Sequence, residues 1–246
     1  RGHFVQLDQS FGQLLAHHDY APGVNRLLGE FAAAAALLGT TLKFDGVLTL
    51  QARSNGQVPL VMVEVTSDRA LRGIARGAER ATADSFGELL GGGTLAITID
   101  PVQGSRYQGV VALDEASLAD SLAEYFGQSE QLPTRFWLAS DGHRAAGFML
   151  QALPAQEVTD PEARAAQWQH LVYLAETLTA EELLSLPAET LLTRLYHQEE
   201  VRLFPGQPLR FECSCSRERS GRALISLGRA DVERRLLELG QPLNRL

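Results

Sequence analysis

The most apolar stretch of the chain is Phe31 to Leu38, FAAAAALL, eight residues without a polar side chain. It closes a predicted helix from Val24 to Leu38, and it is apolar around the full circumference. A helix on a protein surface keeps a polar face, so this one is expected to be buried on every side. Its alanines are small enough to let neighbouring layers approach from both directions. Pro22 stands where such a helix begins, a position at which its missing N–H is harmless. Ahead of it, residues 5–20 predict a short strand or loop, then an amphipathic helix from Phe11 to His17.

Strand patterns follow. TLKFDGVLTLQAR, Thr41 to Arg53, breaks at Asp45-Gly46, the dipeptide favoured in two-residue hairpin turns. Ser54-Asn55-Gly56 is a second turn, and Val58 to Thr66 reads as a strand. Gly91-Gly92-Gly93 precedes a strand from Thr94 to Ile99, which Asp100-Pro101 closes, and Arg106 to Leu113 is a further strand. A helix from Ala116 to Phe126 comes next, then strands at Thr134–Ala139 and Ala146–Ala152 with a turn at Asp141-Gly142. Strands that arrive mainly as hairpins argue for an α+β fold and against a doubly wound parallel sheet.

Beyond Pro154 the pattern becomes helical and polar. Trp168, Leu171, Val172, Ala175 and Leu178 fall at helical spacing within 161–178. Thr179 and Glu182 form a capping box for a second short helix, and Pro187 starts a third, Ala188 to His197. With few apolar anchors, these helices are expected to be marginal on their own. PGQP, Pro205 to Pro208, separates them from LRFECSCSRER and a final helix from Asp231 to Leu239. The expected organisation is a core at 1–159, a helical linker at 160–208 and a small C-terminal module at 209–246.

Composition sharpens this division. The 246 residues carry a formal charge of −8. Residues 1–200 hold 13 basic and 25 acidic side chains, a net of −12, whereas residues 201–246 hold 9 and 5, a net of +4. A basic tail on an acidic body suggests a separate module. It lacks the stacking aromatics of a nucleic-acid binder, so no nucleic-acid partner is expected. No apolar run approaches the roughly 20 residues of a membrane span, and no membrane partner is expected either. Two cysteines, Cys213 and Cys215, cannot staple a secreted scaffold, which points to a reducing cytoplasm.

Enzymatic signatures are missing from the sequence: there is no nucleophile elbow, P-loop, dinucleotide fingerprint or zinc-protease helix. The expectation is that the protein is not an enzyme. The glycines at 91–93 read as a turn, since the spaced second half of a phosphate loop is absent. His17-His18-Asp19 reads as the polar end of a helix, because adjacent helical residues point in different directions. His197-Gln-Glu-Glu200 reads as a solvated face. Cys213-Ser214-Cys215 differs in kind, because Glu212, Ser214, Ser216 and Arg217 around it are polar. Thiolates one residue apart can reach one zinc ion or close a small, strained disulfide, and Arg217, Arg219 and Arg222 favour thiolate over thiol. Two sulfurs alone leave both readings open.

Six separated segments carry a resemblance: TLKFDG at 41–46, RGIAR at 72–76, RYQGVV at 106–111, SEQLPTR at 129–135, RLYHQEEV at 194–201 and CSCSRER at 213–219. In this order and spacing the chain resembles the heat shock protein 33 family, the redox-regulated 33 kDa chaperonins. The resemblance implies a β/α/β layered core around a buried helix, a helical linker and a C-terminal zinc module. It implies a C-x-C pair, matched by Cys213 and Cys215, as redox-active zinc ligands, followed about 30 residues later by a C-x-x-C pair that this chain lacks. Both ends are therefore expected to be trimmed, and zinc, the cofactor of the complete reduced protein, to bind weakly or not at all here, leaving the chain constitutively active. The implied function is that of an ATP-independent holdase for unfolding client proteins, dimeric when active and released by oxidation. The competing enzyme-class reading is a thiol-disulfide oxidoreductase using Cys213 and Cys215; no thioredoxin-like βαβ pattern surrounds the pair.

Overall fold

The computed structural model describes residues 1–16, 18–41, 45–113, 116–154 and 160–213, and beyond them positions 225, 226, 228, 231 and 234. The chain divides into two compact units, Arg1–Phe211 and Glu212–Leu246. In the first unit the elements are β1 (Gly2–Leu7), α1 (Gln9–Leu15), α2 (Pro22–Gly39), β2 (Gly46–Arg53), β3 (Leu60–Thr66), β4 (Ala70–Arg76), α3 (Phe86–Leu90), β5 (Gly93–Pro101), β6 (Tyr107–Leu113), α4 (Leu118–Ser129), β7 (Thr134–Ser140), β8 (Ala145–Gln151), α5 (Pro161–Ala175), α6 (Ala180–Ser185), α7 (Ala188–Tyr196) and β9 (Arg210–Phe211). The predicted final helix, Asp231 to Leu239, lies largely outside the described residues.

The alanine helix sits where its pattern demands. α2 packs on β1, β7 and β8 on one side and on β2, β3 and β4 on the other. Those strands belong to a three-stranded antiparallel sheet, ordered β1-β8-β7, and a six-stranded sheet, ordered β6-β5-β2-β3-β4-β9. Phe31 and Ala32 to Ala35 have no exposed surface. Close approach explains the small residues: a Cβ placed on Gly147 of β8 would stand 2.8 Å from Leu37 and 3.4 Å from the Ala33 Cβ. The mixed α+β, layered fold is therefore as expected, with α2 between two β-layers.

β8 is buried along all seven residues. Alternate side chains of a strand face opposite sides, and here both sides are covered. Ala145 and Met149 join the core around α2, while Ala146, Phe148 and Leu150 join a second cluster with Ala175, Leu183, Leu191, Leu195 and Tyr196 of α5–α7. Trp168, Leu171, Leu174 and Leu178 pack against that cluster. The helical segment thus has more apolar anchors than its polar composition suggested, and it forms a fourth layer on the outer face of the smaller sheet.

One turn was misread. Asp45-Gly46 does not close a hairpin between described strands, since β2 pairs with β3 and β5, both of which follow it. Gly46 opens β2 instead, where a Cβ would meet the Asp100 carbonyl oxygen at 2.6 Å. Residues 42–44 lie outside the described residues.

Glu30 is the one acidic residue of α2, and burial pushes its carboxyl up to about 7 against the opposing pull of Arg26. The folded state therefore holds this proton more tightly than the unfolded chain, whose reference value is 4.5. Its contribution to stability is complete below about 4.5 and is lost as pH rises through about 7. Replacing Glu30 with Gln is expected to remove a loss on the order of 2–3 kcal/mol between pH 5 and pH 8. Urea unfolding of both proteins across that range checks it; parallel pH profiles would contradict the assignment.

Candidate functional site: the segment leading to the cysteine pair

Cys213 is exposed and lies two residues beyond the end of β9; Cys215 lies outside the described residues. The approach to Cys213 is an unusual piece of chain. After α7 the backbone runs through 201–209 without regular structure. Val201, Leu203 and Phe204 are 46%, 51% and 65% exposed, more than large apolar side chains normally are. The Arg202 guanidinium lies 4.8 Å from the centre of the Phe204 ring. Leu209 and Phe211 then turn inward and pack against the core around α2.

β9 is held on the edge of the large sheet by a small set of contacts. It runs parallel to β4, with Arg210 opposite Ala70 and Phe211 opposite Leu71. The Arg210 N–H donates to the Arg69 carbonyl at 3.1 Å. Its side chain pairs with the Asp68 carboxylate and donates to the Asp68 carbonyl at 2.5 Å. Arg69 Nη1 donates to Gln207 Oε1 at 2.8 Å. The Thr66 hydroxyl, and after it the Arg210 guanidinium, hold the Asp68 carboxyl below the usual carboxylate range. The turn that carries this clamp is strained: Arg69 has φ +66°, and its buried Nε has no hydrogen-bond partner.

The helices upstream are tied down more heavily. Gln6 Nε2 of β1 donates to the carbonyls of Leu183 and Leu186, each at 3.0 Å. Arg194 of α7 pairs with Glu182 of α6 at 2.5 Å and donates to the Thr177 carbonyl at 3.1 Å. The Tyr196 hydroxyl donates to the Leu171 carbonyl at 3.1 Å, and His170 meets Glu199 at 2.8 Å. Thr179 and Glu182 form the expected capping box.

The other sequence candidates are not gathered into a site. His17 lies outside the described residues, His18 stacks on Tyr20 with ring centres 4.8 Å apart, and Asp19 is exposed. His197 is exposed, and Glu199 is engaged by His170. Gly91 ends α3, and Gly92 takes the left-handed φ of +66° in the turn to β5. Among the described residues no group of three or more His, Cys, Asp or Glu side chains converges as a metal site, and no helix is long and apolar enough to cross a membrane. A closed thiolate zinc site requires four donors. The sequence holds two cysteines, so these residues do not complete one.

Comparison with known proteins decides the family. The model of the family described as Hsp33 protein matches residues 1–242. The chain belongs to the Hsp33 family. Among its Hsp33 relatives, the 33 kDa chaperonin of Pseudomonas paraeruginosa is 60% identical over 240 residues, covering 97% of this chain and 81% of the relative. That of Azotobacter vinelandii is 59% identical over 240 residues, with the same shares. The crystal structure of the Hsp33 homologue of Thermotoga maritima superposes with a TM-score of 0.79 at 22% identity, covering 94% of this chain and 83% of that one. Its fold is the fold described above. The Hsp33 relatives are named as chaperonins, and a chaperone role is what their names support. The clamp at Asp68, Arg69, Gln207 and Arg210 was not foreseen from the sequence, because its members lie about 140 residues apart and carry no shared spacing signal.

Proposed function

We propose that this protein is an ATP-independent holdase for unfolding proteins whose client surface is controlled by the redox state of Cys213 and Cys215. One observation carries the reading, and it favours control by the thiols over the constitutive activity expected from the sequence. The apolar face of the smaller sheet, Ala139, Ala146, Phe148 and Leu150, is covered by α5–α7, and the chain that makes this cover runs on through an exposed apolar strap directly into Cys213. A cover that ends in a thiol pair can be loosened by thiol chemistry.

The chemical step is a two-electron oxidation. Cys213 and Cys215 lose two protons and two electrons to a peroxide, which is reduced to two waters, and a sulfur–sulfur bond forms. In extended chain, residues two apart are separated by about 6.6 Å, whereas bonded cysteines hold their Cβ atoms about 3.8 Å apart. Closing the bond therefore requires a local geometry other than that of extended chain, within a few residues of β9. Held clients would meet apolar side chains from the strap and from the uncovered sheet, and the net −12 of residues 1–200 would keep such complexes dispersed.

The test is light scattering of an unfolding client in the presence of reduced or peroxide-treated protein. Oxidation is expected to raise suppression of scattering several-fold, and Cys213→Ser is expected to abolish the increase. Absence of suppression in both states overturns the holdase reading; equal suppression in both overturns its control by Cys213 and Cys215.

A further inference from the structure

The edge of β4 is covered in a way that resembles occupation by a ligand. On one side β4 pairs with β3 from Leu71 to Arg76, but on the other, among the described residues, it has only the two residues of β9. At its far end the Tyr20 hydroxyl donates to the Ala75 carbonyl at 2.9 Å and accepts from the Ala75 N–H at 3.1 Å. Backbone groups on one side of a strand recur at every second residue. Arg69 and Ala75 thus fix the outward set as Arg69, Leu71, Gly73 and Ala75, with Gly73 standing between the two occupied ends. Among the described residues no strand faces Gly73 from outside.

The covering segment is peptide-like in every respect. It is extended and short, flanked by Pro208, and paired with β4 through its main chain, the Arg210 N–H donating to the Arg69 carbonyl. Leu209 and Phe211 supply alternate apolar contacts to the core, and Arg210 supplies a charge to Asp68. Strand addition of this kind takes its affinity from the main chain, which every polypeptide shares, and its preference from alternate side chains.

We propose that β9 is an internal stand-in for client chain, and that its departure opens the β4 edge from Arg69 to Gly73 to strand addition by an extended client segment. The segment favoured is parallel to β4 and apolar at alternate positions. It carries a basic residue opposite Asp68 and no proline at the residue that donates to the Arg69 carbonyl. The inference rests on the holdase reading and names where one class of client contact falls. An open edge is also an aggregation hazard, which is a reason for the chain to cover it with its own strand.

Hydrogen exchange on the whole protein tests it, with scattering measured in parallel. In the reduced protein the Leu71 amide is expected to exchange slowly. After peroxide treatment Leu71 is expected to exchange faster, and a urea-unfolded client, diluted in, is expected to slow both Leu71 and Gly73 about tenfold. The peptide GQPLRFE, residues 206–212, is expected to reduce client holding when added in excess, and the same peptide N-methylated at Arg210 to leave it intact. Client holding with unchanged exchange at Leu71 and Gly73 overturns the inference and leaves the holdase reading standing. Protection without client, accompanied by a doubled mass, assigns the edge to a second copy and also overturns it. Failure to hold client in either redox state overturns both.

Discussion

Replacing Phe31 with Ala is expected to lower the free energy of unfolding by about 3–5 kcal/mol. Phe31 has no exposed surface, and it lies midway along α2. The size of the effect follows from the layering. A cavity costs least where the surroundings can collapse into it, and α2 is pinned by a sheet on each side, so neither layer can move in without leaving the other. Against a total stability of about 5–15 kcal/mol for a folded domain, such a loss is a large fraction. Urea unfolding is the measurement, read as a shift in midpoint at constant slope. Leu153→Ala, at a residue 44% exposed, is the matched comparison and is expected to change stability by no more than about 0.5 kcal/mol. A loss below about 1 kcal/mol at Phe31 would mean that the layers close around the gap and that the helix is not held from both sides.

That burial was legible because an alanine run without a polar face has few structural solutions. Other elements were hidden for physical reasons. β4, ALRGIAR, interrupts its pattern with Gly73 and places arginines at 72 and 76, so no alternation marks it as a strand. Its partner β9 is two residues long, below the length at which any period can be seen. Asp45-Gly46 carried a turn signal, yet Gly46 answers a different demand, close approach to the Asp100 carbonyl in a neighbouring strand. Sequence proximity cannot report that contact. The cysteine pair was picked out by its polar surroundings and by family resemblance, but the clamp before it joins a turn at 68–69 to residues 207 and 210 and exists only in the folded chain.

The contacts around the strap and around the helices differ in strength, and the difference orders their release. β9 is held by two residues of ladder, by the half-buried Leu209 and Phe211 and by an exposed ion pair, and exposed ion pairs contribute little. The strain at Arg69 works against the clamp. α5–α7 instead bury Leu183, Leu191, Leu195 and Tyr196 against the smaller sheet. A disturbance starting at Cys213 therefore meets the weaker attachment first. Segments of low local stability open without unfolding the whole, so the strap can open while α5–α7 remain docked.

Loosening the stronger attachment directly should bypass the thiols. Phe148 is 2% exposed on the face of β8 that α5–α7 cover, with ring centres 5.6 Å from Trp137 and 6.5 Å from Tyr196. Phe148→Ala is expected to cost about 3–5 kcal/mol, concentrated in the docking of the three helices. The reduced variant should then suppress client scattering nearly as well as the oxidised parent, and proteases should cut within 161–196 while leaving the core intact. Met149→Ala, on the opposite face of the same strand, supplies the comparison: that side chain is fully buried in the core around α2. It is expected to cost about 2–5 kcal/mol of global stability without freeing the helices or raising client holding in the reduced protein. Two variants one residue apart thus separate the cover from the core, because alternate residues of β8 serve different layers. If both raise holding equally, general destabilisation accounts for the activity and the cover formed by α5–α7 does not control it.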